Sequence, residues 1–308
     1  MHASVIGMRA ARQHRSRYNS ILSFFAVFVI LLLFRTESFA RPSGSDPNSY
    51  FIEILTFGSA KQPGTTFMEI FVGLPTQKLQ YLRTASNFRA NYELAVTLLN
   101  GMGHEVQRAI YIDSVDAEPS AAILNVNLHR LRYSFEVPPA NYRVEFKLTD
   151  LNSLSGFRFF KNITVPDYNG ADLTISDMQL SHSMIRCNET SALVKNSWKI
   201  VPNILRVFTN EDKNLNVYSE VYNLDFRLDR ANKGFATTYF IRDERGCDVR
   251  SLEQVHQKPT NATVLTARLP IDDLDSGLYQ LILKVRDFDS GRVVEKSTTF
   301  RMSNPLAL

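Results

Sequence analysis

From residue 50 onward the chain alternates apolar and polar positions in short runs with a period near two. Tyr50–Thr56, Thr66–Val72, Asn91–Leu99, Leu131–Val137 and Tyr142–Leu148 are rich in Phe, Tyr, Val, Ile and Leu. That pattern suits pleated, half-buried strands. Clusters of turn formers separate the runs: Gln62-Pro63-Gly64, Asn100-Gly101-Met102-Gly103 and Val137-Pro138-Pro139. No stretch sustains a 3.6-residue apolar period. Ala90–Leu99 has enough Ala and Leu to read as helix, but it runs into an Asn-Gly turn, which predicts a strand and a hairpin.

The alternation is written twice. Residues 141–150 read Asn-Tyr-Arg-Val-Glu-Phe-Lys-Leu-Thr-Asp, and residues 278–287 read Leu-Tyr-Gln-Leu-Ile-Leu-Lys-Val-Arg-Asp. Two weaker echoes precede this one in the same order. Glu69-Ile70-Phe71-Val72 resembles Glu220-Val221-Tyr222-Asn223, and Tyr92–Val106 resembles Thr238–Val249 as strand, Gly turn, strand. Three matches in one order point to an internal duplication. Short strands with turns every 8–12 residues predict an all-β protein: two tandem antiparallel β-sandwiches of immunoglobulin or fibronectin III type. The boundaries expected are 41–166 and 171–303, with linker chemistry at Val165-Pro166-Asp167-Tyr168-Asn169-Gly170. Tyr142 and Tyr279 open a late strand, where a sandwich places a Tyr whose hydroxyl bonds a corner of the backbone.

The first forty residues follow another logic. Arg9, Arg12, Arg15 and Arg17 precede an apolar run, Ile21–Phe34, and Ser38-Phe39-Ala40 offers small residues for cleavage. This is the layout of a signal peptide covering 1–40. The competing reading is a retained anchor. About 14 apolar residues make roughly 21 Å of helix, against the ~30 Å of a bilayer core. Removing the segment changes the charge. The chain has 35 Lys+Arg and 31 Asp+Glu, and the segment holds five of the Arg and Glu37, so the remainder carries 30 of each. Such a balance excludes a strongly basic nucleic-acid surface. His129-Arg130-Leu131-Arg132 reads as one solvated strand face.

Candidate chemistry is sparse. His182, in Ser181-His182-Ser183, invites a triad reading, but no Gly-x-Ser-x-Gly elbow occurs. Asp272-Asp273-Leu274-Asp275-Ser276-Gly277 opens like a calcium loop, yet its twelfth position is Leu283 rather than an acid. The plainer reading is a turn before the Tyr279 strand. Phosphate loops are missing. Cys187 and Cys247 are either one disulfide or two free thiols. Trp198, the single Trp, reads as a core or domain-junction residue, or else as a partner anchor. No catalytic, cofactor-binding or metal-binding residues are assigned, and no cofactor is expected.

Several phrases of the second half resemble the region upstream of the motif in bacterial GWxTD-domain proteins. They are Leu173–Met178, Val201-Pro202-Asn203, Val217–Leu224, Tyr239–Gly246 and the Gly277-Leu278-Tyr279 strand. The first half, with Phe67-Met68-Glu69-Ile70-Phe71 and Asn91-Tyr92-Glu93-Leu94, is similar to the same proteins' N-terminal part. The name-giving Gly-Trp-x-Thr-Asp occurs nowhere in the chain. The resemblance implies a secreted or envelope-associated bacterial protein and supplies no catalytic residues. The function expected is therefore a non-enzymatic protein-interaction or structural module, in the periplasm, cell envelope or outside the cell. Its partner would be another protein, with no nucleic acid, and with the membrane touched only through an uncleaved signal segment. The alternatives are a carbohydrate- or ligand-binding accessory module, favoured by aromatics aligned on one sheet face, and a hydrolase with an unrecognised site.

Overall fold

Period-two alternation requires each strand to bury one face, and the chain does so in two pairs of facing sheets. The computed structural model describes residues 51–117, 128–189, 191, 193–229 and 231–304, so the expected signal segment lies outside the described residues. In the first half, Phe51–Gly58 (β1), Thr66–Pro75 (β2) and Leu128–Val137 (β6) form a sheet in the order β1-β2-β6. Facing it are Leu82–Arg83 (β3), Phe88–Leu99 (β4), Glu105–Ala117 (β5), Ala140–Asp150 (β7) and Gly156–Val165 (β8). There β4 lies between β5 and β7, β8 flanks β7, and β3 pairs with the start of β4. The stretch read as helix or strand is thus a strand.

The second half repeats the plan with additions. Gln179–Arg186 (β10), Asn214–Tyr222 (β14) and Thr263–Pro270 (β17) follow the order β10-β14-β17, matching β1-β2-β6. Thr174–Ile175 (β9) adds to β14, and Val194–Lys195 (β11) and Trp198–Pro202 (β12) extend the sheet beyond β10. The facing sheet is Val207–Phe208 (β13), Val293–Met302 (β19), Gly277–Asp287 (β18), Phe235–Arg242 (β15) and Asp248–His256 (β16), in that order. Every strand pair is antiparallel except β13 with β19. The duplicated phrases fall on equivalent strands in one register. Tyr92 of β4 lies opposite Asp150 of β7, and Phe235 of β15 lies opposite Asp287 of β18.

Each sandwich has its own core. Met68, Ile70, Val96, Val144 and Phe146 fill the first, and Val217, Tyr239, Leu281, Leu283 and Phe300 the second. Tyr142 and Tyr279 close the same corner in each. Their hydroxyls donate to the carbonyls of Pro138 (2.8 Å) and Asp275 (2.9 Å), four residues upstream in both cases. Tyr279 also stacks on Phe300 at 5.5 Å. Tyr279→Phe keeps the ring and loses the bond, so it is expected to cost on the order of 1 kcal/mol in urea unfolding. An unchanged midpoint would remove the corner bond from the account of stability.

A third apolar cluster lies between the sandwiches. Leu55, Phe57 and Phe71 of the β1-β2-β6 sheet meet Met184, Ile200, Ile204 and Tyr218 of the second half, with Trp198 at the margin. The central strands β2 and β14 are therefore largely buried on both faces, and both sandwiches belong to one compact unit. Trp198 takes the junction position, with Arg186 5.0 Å from its ring. The expected linker is a packed joint rather than a tether. Tyr168 is buried and shares a 2.8 Å hydrogen bond with the Thr56 hydroxyl. Asp177 accepts from the Thr56 amide (2.8 Å) and hydroxyl (2.7 Å).

The joint corrects one sequence expectation. Arg130 is exposed as expected, but Leu131 is buried on the other face, and Arg132 is half-buried and pairs with buried Glu69, whose other oxygen takes Lys195. Lys195 also lies over the Phe57 ring, 3.5 Å from its centroid. Burial pushes the lysine's pKa down, against the upward pull of Glu69. A second cross-joint pair joins Glu53 to Arg206 at 2.8 Å. Glu220 accepts the hydroxyls of Tyr218 (2.5 Å) and Tyr222 (2.6 Å). Tyr222 in turn accepts the Gly58 amide at 2.7 Å. A Cβ on Gly58 would meet the Tyr222 ring at 2.8 Å, so that approach needs glycine.

Candidate interaction surface

With the inner sheets covered, the exposed broad faces belong to the outer sheets. On the first sandwich, register sets the outward rows. Ile110, Ala95, Lys147 and Arg158 form one row, and Arg108, Thr97, Glu145 and Phe160 the next. Phe160 is held between two guanidinium groups, Arg143 at 5.0 Å and Arg158 at 5.1 Å from the ring centre. Arg158 also pairs with Glu145 at 2.6 Å. This face bears one exposed aromatic, not the aligned set that a carbohydrate platform would present. Beside it, the turn Asn100–Gly103 and the ends of β7 and β8 frame an open cleft of about 560 Å³, lined by Asn141, Arg143, Asn162 and Thr164.

Among the described residues this sheet ends at β8, which pairs only with β7, and at β5, which pairs only with β4; β5 is the more apolar edge. It carries Ile110, Tyr111 and Ile112 in succession, 54%, 45% and 66% exposed. Ile110 and Ile112 point to the outer face, while Tyr111 turns inward at the rim and meets Tyr133 edge-on at 6.5 Å. The equivalent edge of the second sandwich is β16. There the one large exposed apolar side chain among the described residues is Val255. A long edge strand presents unpaired amides and carbonyls, and proteins normally protect it with charge, proline or brevity. Both edges carry charge, Asp248, Arg250 and Glu253 on β16 and Glu105, Arg108, Asp113 and Asp116 on β5, but among the described residues β5 also exposes Ile110 and Ile112 between its charges.

The residues that invited catalytic readings sit elsewhere, each in a local network. His182 is the extra residue of a β-bulge on β10. The bulge turns it outward, where Nδ1 lies 2.8 Å from Asp212 and the ring packs on Phe208. Its neighbour Ser181 is buried on the face of β10 opposite Leu180, and among the described residues its hydroxyl has no hydrogen-bond partner. Adjacency in sequence therefore separates the two groups rather than joining them. His256 bonds the buried Thr237 hydroxyl at 2.8 Å and stacks on Phe235. Burial holds its pKa below the usual imidazole range.

In the acidic turn, Asp273 pairs with Arg250 and the Asp275 carbonyl takes the Tyr279 hydroxyl. Among the described residues no three His, Cys, Asp or Glu side chains converge as a metal set. Cys187 and Cys247 are free thiols, which selects the second of the two cysteine readings. Among the described residues no helix is long and apolar enough to cross a membrane.

One polar cluster went unread in the sequence. Lys258 is fully buried and bonds Asp287, Asp289 (2.5 Å) and the Asp225 carbonyl (3.1 Å). Asp287 closes the duplicated phrase, as Asp150 does in the first half. Asp150 accepts the Gln80, Asn152 and Ser153 amides, and Asp287 accepts the Asp225 and Asp289 amides and the Ser290 hydroxyl. Burial pulls both carboxyls up, but they lie below their ordinary range because hydrogen bonds favour the charged form, from backbone amides at Asp150 and first from Lys258 at Asp287. The repeated Asp was the available signal: a charged residue kept at one point of two otherwise apolar phrases.

No protein family profile matches the chain, and no curated protein sequence does. Among solved structures it is similar to a β-glucuronidase of Parabacteroides merdae, with a TM-score of 0.25 and 9% identity, over 77% of this chain and 28% of that one.

Proposed function

We propose that the chain is a secreted or envelope-associated, non-enzymatic interaction module, whose two sandwiches are of immunoglobulin/fibronectin III type. The observation that carries the reading is the contrast between the two equivalent edges. Among the described residues β5 exposes Ile110, Tyr111 and Ile112 in succession, and β16 exposes Val255 as its one large apolar side chain. Edge strands recognise extended protein segments through main-chain hydrogen bonds, with side chains on alternate faces adding specificity. The buried joint supports the same reading, because it fixes the first sandwich on a rigid base. The GWxTD-like phrases and the basic, then apolar, leader support an envelope location.

The test has two arms. A photo-crosslinking residue at position 112 is expected to capture a protein in the envelope or secreted fraction, whereas one at position 255 is not. N-terminal sequencing of the same chain is expected to begin near Arg41. Full-length chain confined to the cytoplasm, or equal capture from both edges, would overturn the proposal.

A further inference from the structure

We infer that the partner of the β5 edge is a second copy of this chain, paired antiparallel through Ile112. The inference rests on the interaction reading above and deepens it. In an antiparallel pair related by a two-fold axis, each side chain keeps its face, so a residue meets a partner of the same parity. Centred on Ile112, that register sets Ile112 against itself. It sets Arg108 against Asp116 of the second copy, and Asp116 against that copy's Arg108. All three are outward-facing residues of one strand.

Ile110 and Ile112 of both copies then form one apolar patch at diagonal spacing, flanked by two reciprocal ion pairs. The strand is self-complementary in charge and in apolar content at once. The existing partners do not oppose this. Arg108 now pairs with Glu105 and Asp116 with Arg89, both at 2.7 Å and half exposed. Such surface pairs hold little energy and admit a further charge. Joining the strands would continue the outer sheet across the axis and satisfy the amides and carbonyls of both edges.

Sedimentation velocity on the full secreted chain tests the inference. The wild type is expected at twice the chain mass in the micromolar range. Ile112→Lys is expected to be monomeric with an unchanged circular dichroism spectrum, and Val255→Lys to stay dimeric. Arg108→Asp and Asp116→Arg, each alone, place like charges opposite one another and are expected to be monomeric. Mixed together they become complementary at both ends and are expected to form a heterodimer. A monomeric wild type, a dimer indifferent to Ile112→Lys, or a mixture that stays monomeric would overturn self-pairing. If the wild type is monomeric while position 112 still crosslinks to a different protein, self-pairing fails and the interaction reading stands.

Discussion

Lys258→Met is expected to cost about 3–5 kcal/mol of folding stability, the range for removing one partner of a buried ion pair. Methionine nearly matches the aliphatic stem, so the loss reports charge rather than volume. Its absence leaves Asp287 and Asp289, both buried, facing one another. Asp287 keeps its backbone donors and Asp289 keeps the Lys233 amide, so the two carboxylates share the penalty. Two further outcomes follow. Adding Asp289→Asn to Lys258→Met should recover part of the loss. The deficit should also narrow as pH falls toward about 4, because two buried carboxylates without the ammonium between them have a raised folded pKa and protonation relieves their repulsion. Urea unfolding at neutral and acidic pH measures all three. A loss below about 1 kcal/mol would mean that water reaches the cluster.

Glu69→Leu is expected to have the second largest effect, and to act on the joint. It leaves Lys195 buried beside Phe57 without the Glu69 carboxylate, and removes one partner of Arg132. A cost of about 3–5 kcal/mol is again the expectation for an orphaned buried charge. The pH dependence should run opposite to that of Lys258→Met. A desolvated lysine without a counter-ion has its folded pKa lowered, so the variant regains stability as pH rises and Lys195 sheds its proton. Glu69→Gln, which keeps hydrogen-bond acceptance without charge, should fall between the two. Trp198, at the margin of the joint, is a built-in reporter. In the variant its fluorescence transition should precede the loss of β-sheet circular dichroism. Coincident transitions at wild-type stability would show that the ion cluster does not hold the sandwiches together.

The two clusters differ in how far sequence could expose them. Asp287 stands at the end of a phrase written twice, and its role follows from Asp150: a carboxylate capping the turn after a late strand. Lys258 lies 29 positions upstream, in no motif. Glu69 and Glu220 were aligned by the duplication and then passed over as ordinary strand residues. Their neighbours held the clue. Phe67, Glu69 and Phe71 share one face of β2, and Met68, Ile70 and Val72 the other. A strand apolar on both faces is one that is covered on both faces. A lone acid within it must therefore find a partner inside the protein. On the neighbouring strand Arg130 and Ser134 are solvated, and only Arg132 reaches the partner that Glu69 needs.

The candidate edge was half legible. Ile110-Tyr111-Ile112 is visible in the sequence as an apolar run after the Asn-Gly turn, but nothing local distinguishes an edge strand from a central one. That distinction came from the pairing of β5 with β4 alone, and from comparison with β16 in the same place.

By itself the sequence determined the strands, the turns between them, the two sandwiches and the corner tyrosines. All of these rest on a period of two residues or on contacts within a few positions, which any short segment carries in full. The tertiary structure alone decided which sheet faces are covered twice, which charges are paired inside the joint, and which edge is left open. The joint contacts among them join groups far apart in the chain, such as Glu69 with Lys195 and Glu53 with Arg206. Alternation specifies that a strand has a buried face; only the assembled sheets specify what buries it.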